Sequence, residues 1–185
     1  MLPYCRISLN LYVIDISMII RLGERDLRTK FGTFRELTYY DGREETYAIV
    51  MGDASGAEGV LCRVHAHCVG AHFFNSTECE CREEMERAQE LISREGRGVI
   101  IFLDQDGKGN GHLALVESTK FKLQGMSQSD AYELAGFSSD ARDYRPAAAI
   151  IKELGIASIV LLTGAGSKAE NLRNAGVQVD SIRSL

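Results

Sequence analysis

Val60-Leu61-Cys62-Arg63-Val64-His65-Ala66-His67-Cys68 is the stretch that decides how this chain folds. Its apolar first part fits a buried strand, and that strand runs directly into a histidine and a cysteine. Upstream, β-type runs occupy residues 31–40 and 46–51, with the hairpin-type pair Asp41-Gly42 between them. Downstream, helix and strand patterns alternate. Met85, Ala88, Leu91 and Ile92 follow helical spacing, and Gly96 and Gly98 stop that helix. Residues 99–103 form a buried strand, followed by helices over 112–123 and 129–135, the latter stopped by Gly136. Pro146 opens a helix reaching Leu154, closed by Gly155. A second buried strand over 156–162, a helix over 168–174 and a strand over 177–179 complete the pattern. The expectation is an α/β (α+β) domain, a mixed β-sheet with flanking helices. It takes residues 26–185 as one domain and residues 1–25 as an N-terminal arm or strand.

With 185 residues, 45% hydrophobic and 25% charged, the chain has the make-up of a globular domain with a sizeable core. Its net charge of −5 gives no basic footprint for a nucleic acid polymer. The apolar segment 11–20 is interrupted by Asp15 and is too short for a bilayer span. Five cysteines with no secretory signal point to a reducing cytoplasm. No membrane partner is expected.

Cys68, Cys79 and Cys81 form a C-x10-C-x-C cluster in a polar stretch beside His65, His67 and His72. Cysteine is also a common core residue, and Cys62, on the apolar strand, fits that role. The Cys79-Glu80-Cys81 pair fits a soft metal site instead. Zinc is the expected ion, and three thiolate ligands leave a fourth position open for chemistry. A histidine completing the set, His67 or His72, would make the site structural. Each apolar strand also runs into a glycine-rich turn with a lysine, Gln105-Asp106-Gly107-Lys108-Gly109-Asn110-Gly111 and Thr163-Gly164-Ala165-Gly166-Ser167-Lys168. Such turns offer backbone N–H groups and a helix N-terminus to phosphate, although neither has the P-loop order. Asp140 and Arg142 lie two residues apart in an interhelical loop. They fit either a surface ion pair or an arginine aimed at phosphate beside a proton-transferring carboxylate.

In this order the segments resemble GTP cyclohydrolase II. The resemblance is carried by Gly52-Asp53, residues 62–68, Cys79-Glu80-Cys81, residues 95–98, residues 105–108, Gly136-Phe137 with Asp140, Arg142 and Asp143, and residues 161–163 with Lys168. It covers roughly residues 30–180. It implies a zinc-bound water attacking C8 of the guanine of GTP, ring opening, formate release and loss of pyrophosphate, with Mg2+ on the triphosphate. It further implies Cys68, Cys79 and Cys81 as zinc ligands, Asp140 as proton acceptor and Arg142 acting at the α-phosphate. Arg63, Val64, His65, Ala66, His67, Glu84, Asp106, Gly107, Lys108, Gln128, Thr163 and Lys168 fall on nucleotide-contacting positions. Glu84 suits the guanine N1–H and amine as an acceptor. A homodimer and a place in riboflavin biosynthesis follow from the same likeness.

Departures stand beside it. His67 replaces an acidic residue, Val69-Gly70-Ala71-His72 replaces Leu-Thr-Gly-Asp, and Asp106-Gly107-Lys108 replaces Glu-Gly-Arg. The family's catalytic tyrosine falls at Thr119; Tyr132 and Tyr144 can substitute only if the fold brings them in. The alternatives are a paralog that stops at the formamidopyrimidine, one that acts on another purine nucleotide in a secondary pathway, and a non-catalytic zinc-stabilised nucleotide-binding protein.

Overall fold

The computed structural model describes residues 19–164 and 166–185. The apolar stretch 11–20 therefore lies almost wholly outside the described residues. The strands are β1 (Ile20–Thr29), β2 (Gly32–Tyr40), β3 (Glu45–Met51), β4 (Val60–Ala66), β5 (Gly98–Leu103), β6 (Ile159–Leu162) and β7 (Val179–Arg183). The helices are α1 (Val69–Phe74), α2 (Cys81–Glu95), α3 (His112–Lys122), α4 (Gln128–Leu134), α5 (Arg145–Glu153) and α6 (Gly166–Asn174).

All seven strands join one mixed sheet in the order β1-β2-β3-β5-β4-β6-β7. The β1 to β3 meander is antiparallel and β3 meets β5 antiparallel, whereas β5, β4, β6 and β7 run parallel. Helix α2 covers one face, where Ala88 and Ile92 pack with Phe34, Leu61, Ile100 and Leu162. Helices α5 and α6 cover the other, with Ile150, Ile151 and Leu172 against Cys62, Val64, Val99, Ile101 and Leu161. Covered on both sides, β4 and β5 are almost wholly apolar, as central parallel strands must be. Gly98 sets the approach of α2: a Cβ there would lie 2.6 Å from Ile92 Cγ1 and 2.9 Å from the Leu61 carbonyl oxygen.

Several expected boundaries shift. Residues 20–25, expected as part of an arm or strand, belong to β1, which pairs with β2. β6 begins at Ile159, not residue 156, because Ala157 N–H and Ser158 N–H bond the Ala57 carbonyl instead of a neighbouring strand. The last strand lies over Val179–Arg183 rather than 177–179; Val177 N–H donates to Leu172 O and closes α6. Helix α1, between the first two cysteines, has too few residues to show periodicity in the sequence.

The order places the site. β5 and β6 lie on opposite sides of β4, so the connection between them crosses over it. Ligands of open α/β sheets bind beyond the carboxyl ends of strands at such a crossover. His67-Cys68, the 105–111 turn and the segment from Thr163 into α6 all follow the carboxyl ends of β4, β5 and β6.

Candidate metal and nucleotide site

Cys68 is the residue preceding α1, and Cys81 opens α2. The three sulfurs of Cys68, Cys79 and Cys81 lie within 4.8 Å of one another, with Cys68 and Cys79 3.7 Å apart. Tetrahedral zinc with ordinary zinc–thiolate bonds separates its sulfurs by about 3.8 Å. Burial, and then the facing thiols, push Cys68 and Cys81 above the usual thiol range, as expected of crowded donors that a cation would relieve. The donor set therefore suits zinc. No histidine joins this group among the described residues. His67 Nδ1 is 2.7 Å from Asp104 Oδ1, whereas His72 Nδ1 accepts from Cys68 N–H and its Nε2 lies 3.2 Å from His65 Nε2. A Cys3His closure is not formed.

Two cavities adjoin the cluster. One, of about 160 Å3, is lined by Cys68, Cys79, Ala66, His67, Asp106, Gly107, Lys108, Gln128, Tyr132 and Arg142. The other, of about 700 Å3, is lined by Arg63, His65, Ala66, Glu84, Lys108, Asp140, Arg142, Thr163 and Lys168. Ala66, Lys108 and Arg142 line both. Of the expected nucleotide contacts only Val64 lines neither; its carbonyl accepts from Lys168 Nζ at 2.8 Å.

The larger cavity is cationic at its base. Arg63, 3% exposed, donates to Leu162 O at 2.9 Å and to Glu84 Oε2 at 2.5 Å, while its buried Nε has no partner. Glu84 thus stands in this cavity as a partner of Arg63, with its other oxygen open to a donor. Burial, then the Arg63 and Arg142 charges, lower Lys168 to about 7. Lys108 is lowered by the same two kinds of cause, and its Nζ donates to Ser129 Oγ. Burial and Arg63 lower His65 to about 2, so its imidazole is neutral.

Asp140 and Arg142 form one unit. Arg142 Nε donates to Asp140 Oδ1 at 2.9 Å, a second guanidinium nitrogen pairs with Oδ2, and Arg142 N–H donates to Oδ1. Burial works to raise the Asp140 pKa, but the Arg142 bonds and charge, with the Lys108 charge, outweigh it and hold the carboxyl below its ordinary value. This loop is fastened to the 105–111 turn by contacts the sequence did not suggest. Gln105 and Asp143 exchange two hydrogen bonds, Asn110 bonds the Ser138 backbone twice, and Ala141 N–H donates to Lys108 O. Gly109, at φ +82°, permits the approach: a Cβ would stand 2.6 Å from the Ala141 carbonyl carbon.

The profile of the GTP cyclohydrolase II family matches residues 20–184. The chain belongs to the GTP cyclohydrolase II family. Riboflavin biosynthesis protein RibBA of Bacillus mycoides (strain KBAB4) is 36% identical over 165 residues, covering 88% of this chain and 42% of the relative. GTP cyclohydrolase-2 of Actinobacillus succinogenes is 34% identical over 166 residues, covering 89% of this chain and 76% of the relative. The chain therefore spans less than half the length of the RibBA relatives it matches. Among solved structures, RibBX, a two-domain 3,4-dihydroxy-2-butanone 4-phosphate synthase from A. baumannii, aligns over 89% of this chain and 40% of its own. The TM-score is 0.50 at 17% identity, a likeness of fold alone.

Against the family pattern, Thr119 is the departure with a chemical consequence. Its hydroxyl donates to Leu115 O, one turn back on α3, at 2.9 Å. Of the two tyrosines that could substitute, Tyr144 is buried beneath the Arg142 guanidinium with an unpartnered hydroxyl and does not line the cysteine cavity. Tyr132 does. Burial, then the Asp106 and Cys68 charges, push its phenol up to about 12.

Proposed function

We propose that this chain opens the imidazole ring of GTP hydrolytically at C8, with loss of pyrophosphate. The observation that carries the reading is the pair of cavities joined at Ala66, Lys108 and Arg142: a small one at the thiol cluster, sized for a base, and a larger cationic one, suited to a triphosphate. Zinc held by Cys68, Cys79 and Cys81 would supply a Lewis acid with an open position at the base. The chain's own groups do the rest. Asp140, ionised through its pairing with Arg142, lines the larger cavity and accepts a proton where Arg142 joins the two cavities. Arg142, at the junction of the cavities, meets the α-phosphate, where its planar fork serves an equatorial oxygen pair. Arg63 and Lys168 bind the outer phosphates, with Thr163 and the 105–111 turn, and Mg2+ travels with the triphosphate as part of the substrate. Ala66, His67, Asp106, Gly107, Lys108 and Gln128 surround the base. Val64 acts through its carbonyl by orienting Lys168, and neutral His65 stands between Arg63 and His72. Glu84 holds Arg63 and offers its second oxygen to the ligand.

Family membership supports GTP over another purine nucleotide, and the Asp140–Arg142 unit supports turnover over binding alone. The reading includes a homodimer, a reducing cytoplasmic setting and a role in riboflavin biosynthesis or a secondary pathway built on the same pyrimidine. The described cysteines are all free, and no described helix is long and apolar enough to cross a membrane. The test incubates zinc-replete protein with GTP and magnesium while following the purine absorbance band and pyrophosphate. Loss of the band with pyrophosphate release is expected. An intact band with bound GTP would leave only the binding protein standing.

A further inference from the structure

Ring opening leaves a formamide, and its hydrolysis calls for a donor at the formyl oxygen that Thr119 cannot supply. Thr119 is short, and its hydroxyl is bonded to its own helix. The thiol cavity, which Thr119 does not line, carries Tyr132 on its wall. Helix α4 turns this residue inward so completely that it is 1% exposed, yet the cavity lined by Cys68, Cys79, Asp106, Lys108 and Arg142 also includes it. Its hydroxyl oxygen lies against the glycine turn, 3.5 Å from where a Cβ on Gly107 would stand. Its backbone is fixed as well, since Tyr132 O accepts from Phe137 N–H at 2.9 Å.

The hydroxyl has no hydrogen-bond partner among the described residues. An inward phenol without a partner is costlier than phenylalanine in the same place, unless a ligand supplies the missing acceptor. Unlike the Tyr144 hydroxyl, it is not sealed off inside the core. A phenol at neutral pH is a protonated donor, and this one faces a cavity that Cys68 and Cys79 also line.

Resting on the ring-opening reading, we propose that Tyr132 is a catalytic residue that donates its O–H to the formyl oxygen during formamide hydrolysis, so that the chain releases formate despite Thr119. In this step a water oxygen bonds to the formyl carbon and the carbon–nitrogen bond breaks. The exocyclic nitrogen that bore the formyl group leaves as an amine carrying one of the water's protons, and formate departs with its acid proton going to solvent. The phenol steadies the charge that gathers on the formyl oxygen and keeps its own proton. The proposal runs opposite to the expectation, drawn from Thr119 alone, that the reaction halts at the formamidopyrimidine.

The experiment uses zinc-replete full-length chain with GTP and magnesium, and follows loss of the purine band and formate in single turnover. Wild type should release formate stoichiometrically with ring opening. In Tyr132→Phe, formate release should slow by about 10²-fold relative to ring opening, with formamide accumulating, the usual effect of removing one such donor. Tyr144→Phe, which removes a hydroxyl outside the cavity, should leave the ratio of formate to opened ring at the wild-type value. Unchanged formate release in Tyr132→Phe, an equal fall in both steps, or an equal effect of Tyr144→Phe would overturn the role of Tyr132 alone. Formamide accumulation in wild type would overturn it too, and would reinstate the halted reaction. A purine band that persists in wild type would bring down the ring-opening reading together with it.

Discussion

Three side-chain groupings carry most of the site. The thiols of Cys68, Cys79 and Cys81 are positioned by the starts of two helices, so each sulfur is held without help from the metal's own preferences. Replacing Cys79 by serine should weaken zinc binding by more than about 100-fold, read as zinc content after dialysis against a chelator, because loss of a thiolate ligand exceeds the usual effect of losing a supporting contact. Arg142 reaches Asp140 with two guanidinium nitrogens while its side chain is mostly buried. Arg142→Lys keeps the charge and removes the fork. Pyrophosphate release should fall by about 10²-fold with the fold intact, checked by rate assay alongside thermal melting. Arg63 contrasts with it: a buried guanidinium with one bare nitrogen, depending on Glu84, the Leu162 carbonyl and the His65 ring. Glu84→Gln would leave that charge with a weaker partner and should lower stability by about 1–3 kcal/mol, measured by urea denaturation.

At the level of elements, the 138–143 loop and the glycine turn form one piece. The Gln105–Asp143 exchange, the two Asn110 bonds and the Ala141–Lys108 bond tie residues 105–111 to 138–143. Gly109 is where they touch. Gly109→Ala adds a methyl against the Ala141 backbone at a left-handed φ, so the loop must move. The expected cost is about 1–3 kcal/mol, with turnover falling more than the melting temperature suggests. The helical hairpin of α3 and α4 forms the opposite wall. Ser127 caps α4 by accepting from Asp130 N–H, and that start fixes which way Tyr132 points.

Across the whole molecule, the crossover at β4 gathers three loops around one cationic hollow, and burial there has a pH signature. Lys168 titrates near 7 in the fold and near 10.5 when free of it. Between those values the unfolded chain binds a proton that the folded chain does not, so stability should rise with pH from about 7 to 10.5. Below that window both forms are protonated and the penalty is constant. Phosphate favours the charged lysine, so pyrophosphate affinity should weaken above about pH 7. Urea denaturation and pyrophosphate titration across this range check both slopes, and Lys168→Met should flatten each. Periodicity and spacing in the sequence were enough for the mixed α/β sheet, the placement of Lys108 and Lys168 just after two apolar strands, and the thiol triad, because each is local along the chain. They misplaced the edges of β6 and β7, where hydrogen bonds to the Ala57 carbonyl and the end of α6 decide which residues pair. Only the tertiary structure decided that no histidine joins the thiol cluster, that Glu84 sits with Arg63, and that Tyr132 rather than Tyr144 lines the thiol cavity. Those outcomes depend on which faces of separate helices turn toward one cavity, and residues far apart in the chain meet there only after the sheet is packed.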